Sequence, residues 1–178
     1  MLDGVIVQAF MLGTRFLSTS YQAGEGILGT PLPHRDTHTV LIVDDNPHLL
    51  QAVKEALTLL GPFTIITAAN GMYGLRQAIE QVPDCIVIDV MMPGIDGLQL
   101  TRALRGDLTT AHIPIVILTA KVQPKNIYDG LAAGADYYLL KPVKPQDLAA
   151  AIAKAIQTNT HERERNLEAL VRELPPRE

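Results

Sequence analysis

The feature that most limits the fold of this chain is an alternation of short apolar runs with helical patterns. Five runs read as strands: Val40–Val43, Phe63–Thr67, Cys85–Ile88, Ile115–Leu118 and Tyr137–Leu140. Several are apolar throughout rather than alternating, which is how strands covered on both faces read. Helical patterns separate them. Leu49, Leu50, Val53, Leu57 and Leu60 fall at helical spacing within Pro47–Leu60. Asn46 is placed to cap that helix, Pro47 suits its first turn, and Gly61 marks its end. Further helices are expected over Gly71–Gln81, Leu98–Arg105, Gln123–Ala133 and Pro145–Gln157. A βα unit repeated in this way predicts an α/β fold, a doubly wound parallel sheet with helices on both faces. Ligands of such sheets bind beyond the carboxyl ends of the strands, at the point where strand order reverses.

That rule directs attention to the residues after each run. The first strand is followed by Asp44 and Asp45, the third by Asp89, the fourth by Thr119 and Ala120, and the fifth by Lys141 and Pro142. A single charged residue in such a place is usually the chain returning to water. Three carboxylates, a hydroxyl and an ammonium on one rim are harder to explain that way. Carboxylates so grouped repel one another, and one takes up a proton unless a cation neutralises the set. Hard oxygen ligands suit magnesium, and the rim has no Cys or His to favour zinc or copper. A carboxylate also serves as a nucleophile toward phosphorus, and the product needs its new charge met by metal, ammonium and neutral donors.

Composition sets the outer bounds. The chain has 178 residues, of which 47% are hydrophobic, enough for one well-packed domain. A net charge of -4 argues against a general polyanion binder. One cysteine, Cys85, excludes an internal disulfide. No apolar run is long enough to span a membrane. Met1–Leu17 is apolar, but Asp3 comes early and no basic residue precedes Arg15, a poor match to a secretory signal. The expected division is a flexible extension over 1–37, a domain over 38–158 and a charged helical tail over 159–178. Within the tail, Leu167, Leu170, Val171 and Leu174 form one apolar stripe before Pro175 and Pro176. The tail is expected to extend the face of the last helix for pairing or partner contact.

Leu41-Ile42-Val43-Asp44-Asp45-Asn46, Asp89-Val90-Met91-Met92-Pro93-Gly94-Ile95-Asp96-Gly97, Thr119-Ala120 and Tyr138-Leu139-Leu140-Lys141-Pro142 occur in that order. In these motifs the stretch from about His38 to Gln157 resembles the receiver domain of two-component response regulators. The resemblance implies a flavodoxin-like sheet of order 2-1-3-4-5. It implies Asp89 as phosphoacceptor, with magnesium held by Asp44, Asp45, Asp89 and the Met91 carbonyl. Asp44 would act mainly through a metal-bound water. Lys141 and the Ala120 N–H would bind the phosphoryl group, and Thr119 and Tyr138 would form the switch. A cis Lys141–Pro142 bond belongs to the same expectation.

The implied partners are a sensor histidine kinase or phosphotransfer protein and a downstream protein target, in the cytoplasm. A homodimer through the fourth helix, fifth strand and fifth helix is a further possibility within the family. About 20 residues follow the domain, too few for a DNA-binding domain, so a stand-alone regulator is expected. The expected chemistry is limited to the chain's own phosphorylation and dephosphorylation. An aspartyl phosphatase would place a second acid two residues after its nucleophile, where this chain has Met91. A pure interaction module would have no use for the complete rim.

Overall fold

The computed structural model describes residues 37–120 and 130–158. Five strands form one sheet: β1 (His38–Val43), β2 (Phe63–Ala68), β3 (Cys85–Asp89), β4 (Ile115–Thr119) and β5 (Tyr137–Leu140). All pairs are parallel and the order is β2-β1-β3-β4-β5, as the family resemblance implied. The helices are α1 (Pro47–Leu60), α2 (Gly71–Gln81), α3 (Gly97–Gly106) and α4 (Pro145–Gln157). Of the expected helix Gln123–Ala133, residues 123–129 lie outside the described residues, and 130–132 are helical.

Alternate residues of β1 feed two cores. Val40 and Ile42 join Leu50, Leu57, Leu148 and Ile152 beneath α1 and α4. Leu41 and Val43 join Leu100, Leu104 and Ala78 beneath α2 and α3. The interior strands β3 and β4 are buried at every residue, whereas the edge strand β2 is exposed at Thr64 and only partly buried at Ile66 and Thr67. Burying one such aliphatic side chain contributes about 1.5–3 kcal/mol, so the two-sided core supplies the main driving force.

Local signals set the helix ends. The Asn46 side chain accepts from the N–H groups of His48 at 3.0 Å and Leu49 at 3.2 Å. Asp96 and Gln99 form a reciprocal capping box at the start of α3. Gly61 ends α1 for a different reason than the left-handed cap its identity suggested. Its backbone is extended, with φ -170°, and a Cβ there would come within 2.6 Å of the Phe63 ring. Val82 takes the left-handed cap of α2 instead, at φ 43°.

The amino ends of the strands are tied by a pair that no motif signals. Arg105, at the end of α3, donates to the carbonyls of Gly134 (2.8 Å), Ala111 (3.0 Å) and Ile113 (2.7 Å). It also donates to the Asp136 carboxylate at 2.7 Å. Asp136 in turn accepts the Ile115 N–H at 2.7 Å, which fixes the starts of β4 and β5 together.

Candidate functional site

Strand order reverses between β1 and β3, so their carboxyl ends flank a crevice. Asp44 follows β1 directly. Its N–H donates to the Ala68 carbonyl at 3.1 Å, so β2 positions it. One of its carboxylate oxygens accepts the Asn46 N–H at 2.8 Å, giving the helix cap a second use that sequence reading missed. Asp89 is the last residue of β3 and pairs with Leu118 across the sheet. Both carboxylates are nearly inaccessible, with Asp44 2% and Asp89 5% exposed. Asp45, in contrast, is exposed.

Lys141 reaches this crevice from β5. Its N–H donates to the Thr119 carbonyl at 2.7 Å, and its peptide bond to Pro142 is cis, as expected. The ammonium donates to Asp44 at 2.8 Å and lies 3.1 Å from an Asp89 oxygen. One ligand oxygen from each of Asp44, Asp45 and Asp89 lies within 4.8 Å of the others. The three carboxylates and the lysine predicted from the strand ends therefore do meet.

Charge is unevenly settled here. Burial, reinforced by the Asp44 charge, pushes the Asp89 carboxyl above its ordinary value despite hydrogen bonds from Lys141 and the Met91 backbone. Burial alone would lower Lys141, but its bonds to Asp44 and Asp89 outweigh that and raise it. Burial thus disfavours charge at Asp89, while Lys141 is held in its charged form by its two aspartate partners. The donor set is all oxygen, with one lysine to three carboxylates, and that fits a hard divalent cation.

The remaining residues surround this cluster. Thr119 ends β4 fully buried, and Ala120 beyond it is exposed. The Met91 side chain is half exposed, while its backbone bonds the Asp89 carboxylate. Tyr138 is half-buried against the core beneath α2 and α3. A Cβ at Gly130 would come within 2.7 Å of its ring, so the glycine makes room for the aromatic side chain. Gly97 acts similarly below the nucleophile candidate. A Cβ there would collide with the Asp89 carbonyl and the Val90 backbone, so the start of α3 fits directly beneath the loop that follows β3. The closeness of Gly97 to Asp89 depends on tertiary contact and leaves no local signal.

Comparison with known proteins agrees with this geometry. Residues 40–153 match the family model of the response regulator receiver domain, and the chain belongs to that family. Phosphoryl acceptance is the family's general function. The phosphate regulon transcriptional regulatory protein PhoB of Pseudomonas aeruginosa is 38% identical over 122 residues, covering 68% of this chain and 52% of that protein. The transcriptional regulatory protein AfsQ1 of Streptomyces coelicolor is 38% identical over 124 residues, or 70% of this chain and 53% of that one. The chain thus spans about half the length of the curated relatives it matches. Among solved structures, chemotaxis protein CheY4 of Vibrio cholerae superposes with a TM-score of 0.63 at 32% identity, covering 67% of this chain and 98% of that one.

Proposed function

We propose that Asp89 is the residue that accepts the phosphoryl group, with magnesium held by Asp44, Asp45, Asp89 and the Met91 carbonyl. The observation that carries this reading is the position of Asp89, a buried carboxylate between Asp44 and Lys141 at the strand-order reversal. An Asp89 oxygen attacks phosphorus, a P–O bond forms, and the donor's bond to phosphorus breaks with its electron pair leaving on the donor. Bound magnesium supplies charge neutralisation for the carboxylates and the incoming group. Lys141 stays close to both aspartates and pairs with a phosphoryl oxygen. The Thr119 hydroxyl and Ala120 N–H donate to the remaining oxygens. Thr119 moves to do so, and Tyr138 turns into the space it leaves. Only a phosphoryl group bound more tightly in one state than the other shifts that equilibrium.

The donor is a sensor histidine kinase or phosphotransfer protein in the cytoplasm. The output is contact with a protein partner or onward transfer, with pairing through the face of the helix expected over Gln123–Ala133, β5 and α4 as one form of contact. The chain turns over no separate substrate. We take the domain as 38–158, with 1–37 and 159–178 outside it; the family match over residues 40–153 supports this reading. The test is incubation with magnesium and a small phosphodonor, followed by NMR. Base-labile phosphate should accumulate to one per chain, with shifts concentrated at Thr119, Ala120 and Tyr138. No magnesium-dependent labelling, or labelling without shifts at those residues, overturns the reading.

A further inference from the structure

The tail stripe of Leu167, Leu170, Val171 and Leu174 lies outside the described residues. Within them, Asn46 is held by the acidic cluster on one side and by a helix on the other. Its N–H donates to an Asp44 carboxylate oxygen at 2.8 Å. Its side-chain oxygen accepts the N–H groups of His48 at 3.0 Å and Leu49 at 3.2 Å. Its carbonyl accepts the Leu50 N–H at 3.0 Å, which begins the ladder of α1. Three N–H groups from the first turn of α1 thus converge on Asn46, and Asn46 directs its own N–H at Asp44. Short polar side chains readily bond the backbone two residues on, and here two such bonds follow in series.

The other oxygen of Asp44 accepts the Lys141 ammonium at 2.8 Å. The carboxylate is therefore held from two sides, and the two holds differ in kind. Lys141 is a long side chain that also lies 3.1 Å from Asp89, so it is free to shift toward an arriving phosphoryl group. The Asn46 N–H belongs to the backbone. Its direction is set by an extended conformation, φ -93° and ψ 105°, which the bonds to His48 and Leu49 maintain. Asp44 thus keeps one fixed partner while the other moves. An ionised carboxylate has about four acceptor sites, so both oxygens can still face an ion or its water.

We propose that Asn46 is a positioning residue: by capping α1 it fixes the N–H that orients Asp44 for magnesium, and so ties ion binding to the first turn of α1. The inference rests on the proposed reading of Asp44 as a residue that holds the ion. Coupling between two sites is reciprocal, so an ion at the cluster steadies the first turn of α1 just as the cap steadies the cluster. The side chain of Asn46 is exposed, and so are the bonds it accepts. Its removal empties no core and strands no buried donor, so the fold survives the substitutions that test the link.

Calorimetric titration of the full chain with magnesium, without a phosphodonor, tests the proposal in the parent protein, Asn46→Ala, Asn46→Ser and Asn70→Ala. Asn70 caps α2 by accepting the Tyr73 N–H at 2.8 Å, and its variant reports what the loss of a cap does by itself. Both alanine variants should lower the denaturation midpoint by a similar small amount. Only Asn46→Ala should weaken magnesium binding, by about tenfold, as the loss of an outer partner of a metal-holding residue does. Serine caps about as well as asparagine, so Asn46→Ser should return affinity to within about twofold of the parent. Magnesium should also slow amide exchange at His48 and Leu49 in the parent, and this slowing should be lost in Asn46→Ala. Equal weakening in the two alanine variants, a serine variant as weak as Asn46→Ala, or exchange that magnesium leaves unchanged overturns the proposal. A parent that binds magnesium beside an Asn46→Ala variant of equal affinity overturns this inference alone. A parent that binds none overturns the proposed metal site and this inference with it.

Discussion

The two ends of the sheet handle charge in opposite ways. At the amino end, Arg105 meets Asp136, and its other donors are taken by the carbonyls of Gly134, Ala111 and Ile113. At the carboxyl end, Lys141 is the cation that faces Asp44 and Asp89 among the described residues, with Asp45 close by. The first arrangement is complete in itself and joins α3 to the starts of β4 and β5. The second is incomplete, and burial leaves Asp89 harder to ionise than a carboxyl in water. The same fold thus keeps a satisfied pair at one end and, at the other, an acidic cluster where the proposed cation and phosphoryl group would arrive. Stability given up at a site in this way is the usual cost of having it ready.

Substitutions at either end sharpen or break that contrast. The largest effect on stability should come from Arg105→Ala, which strands a partly buried carboxylate and three carbonyls. A loss of about 3 kcal/mol is expected by chemical denaturation. A loss below about 1 kcal/mol, as an exposed pair gives, would place both ends in the same class.

Asp45→Ala comes next and acts on binding instead. Asp45 is exposed, so folding stability should change by no more than about 0.5 kcal/mol. Magnesium affinity should fall about tenfold or more, because the ion loses a carboxylate. Calorimetric titration checks this, and an unchanged affinity removes Asp45 from the ligand set.

The smallest effect is a gain. Without metal, Asp89→Asn should melt above the parent protein. A carboxyl whose pKa is raised by the fold stabilises most fully below its ordinary value of 3.8. That contribution is lost as pH rises through the higher folded-state value. The variant's advantage should therefore be small in acid, grow as pH rises toward neutrality, and shrink when magnesium is added to both proteins. Melting curves across pH decide it; an advantage that is largest in acid contradicts the sign.

The sequence made the sheet and its reactive edge legible for a physical reason. Strands covered on both faces must be apolar throughout, so β1, β3 and β4 stand out, and the charges that end them stand out in turn. The structure extends β3 through Asp89 and β4 through Thr119, one residue further than the apolar runs, because pairing with Leu118 and Leu140 continues past the last apolar side chain. Other features are set by tertiary contact or backbone conformation rather than by local pattern. Gly61 is set by the ring of Phe63, and Gly97 by the backbone of Asp89 and Val90. Arg105 and Asp136 meet across 31 positions of sequence, so only the fold brings them together. Val82 caps α2 in a conformation that its β-branched side chain argues against.

The central claim is that the incomplete cluster exists to place a phosphoryl group on Asp89. Phosphorylating the protein and its Asp89→Asn variant side by side, with magnesium and a small phosphodonor, tests it most directly when peptide mapping locates the label. The account predicts base-labile phosphate on the peptide containing Asp89, approaching one per chain, and none in the variant. Equal labelling of the variant, or label mapped to Asp44 or Asp45 in the parent protein, would contradict it.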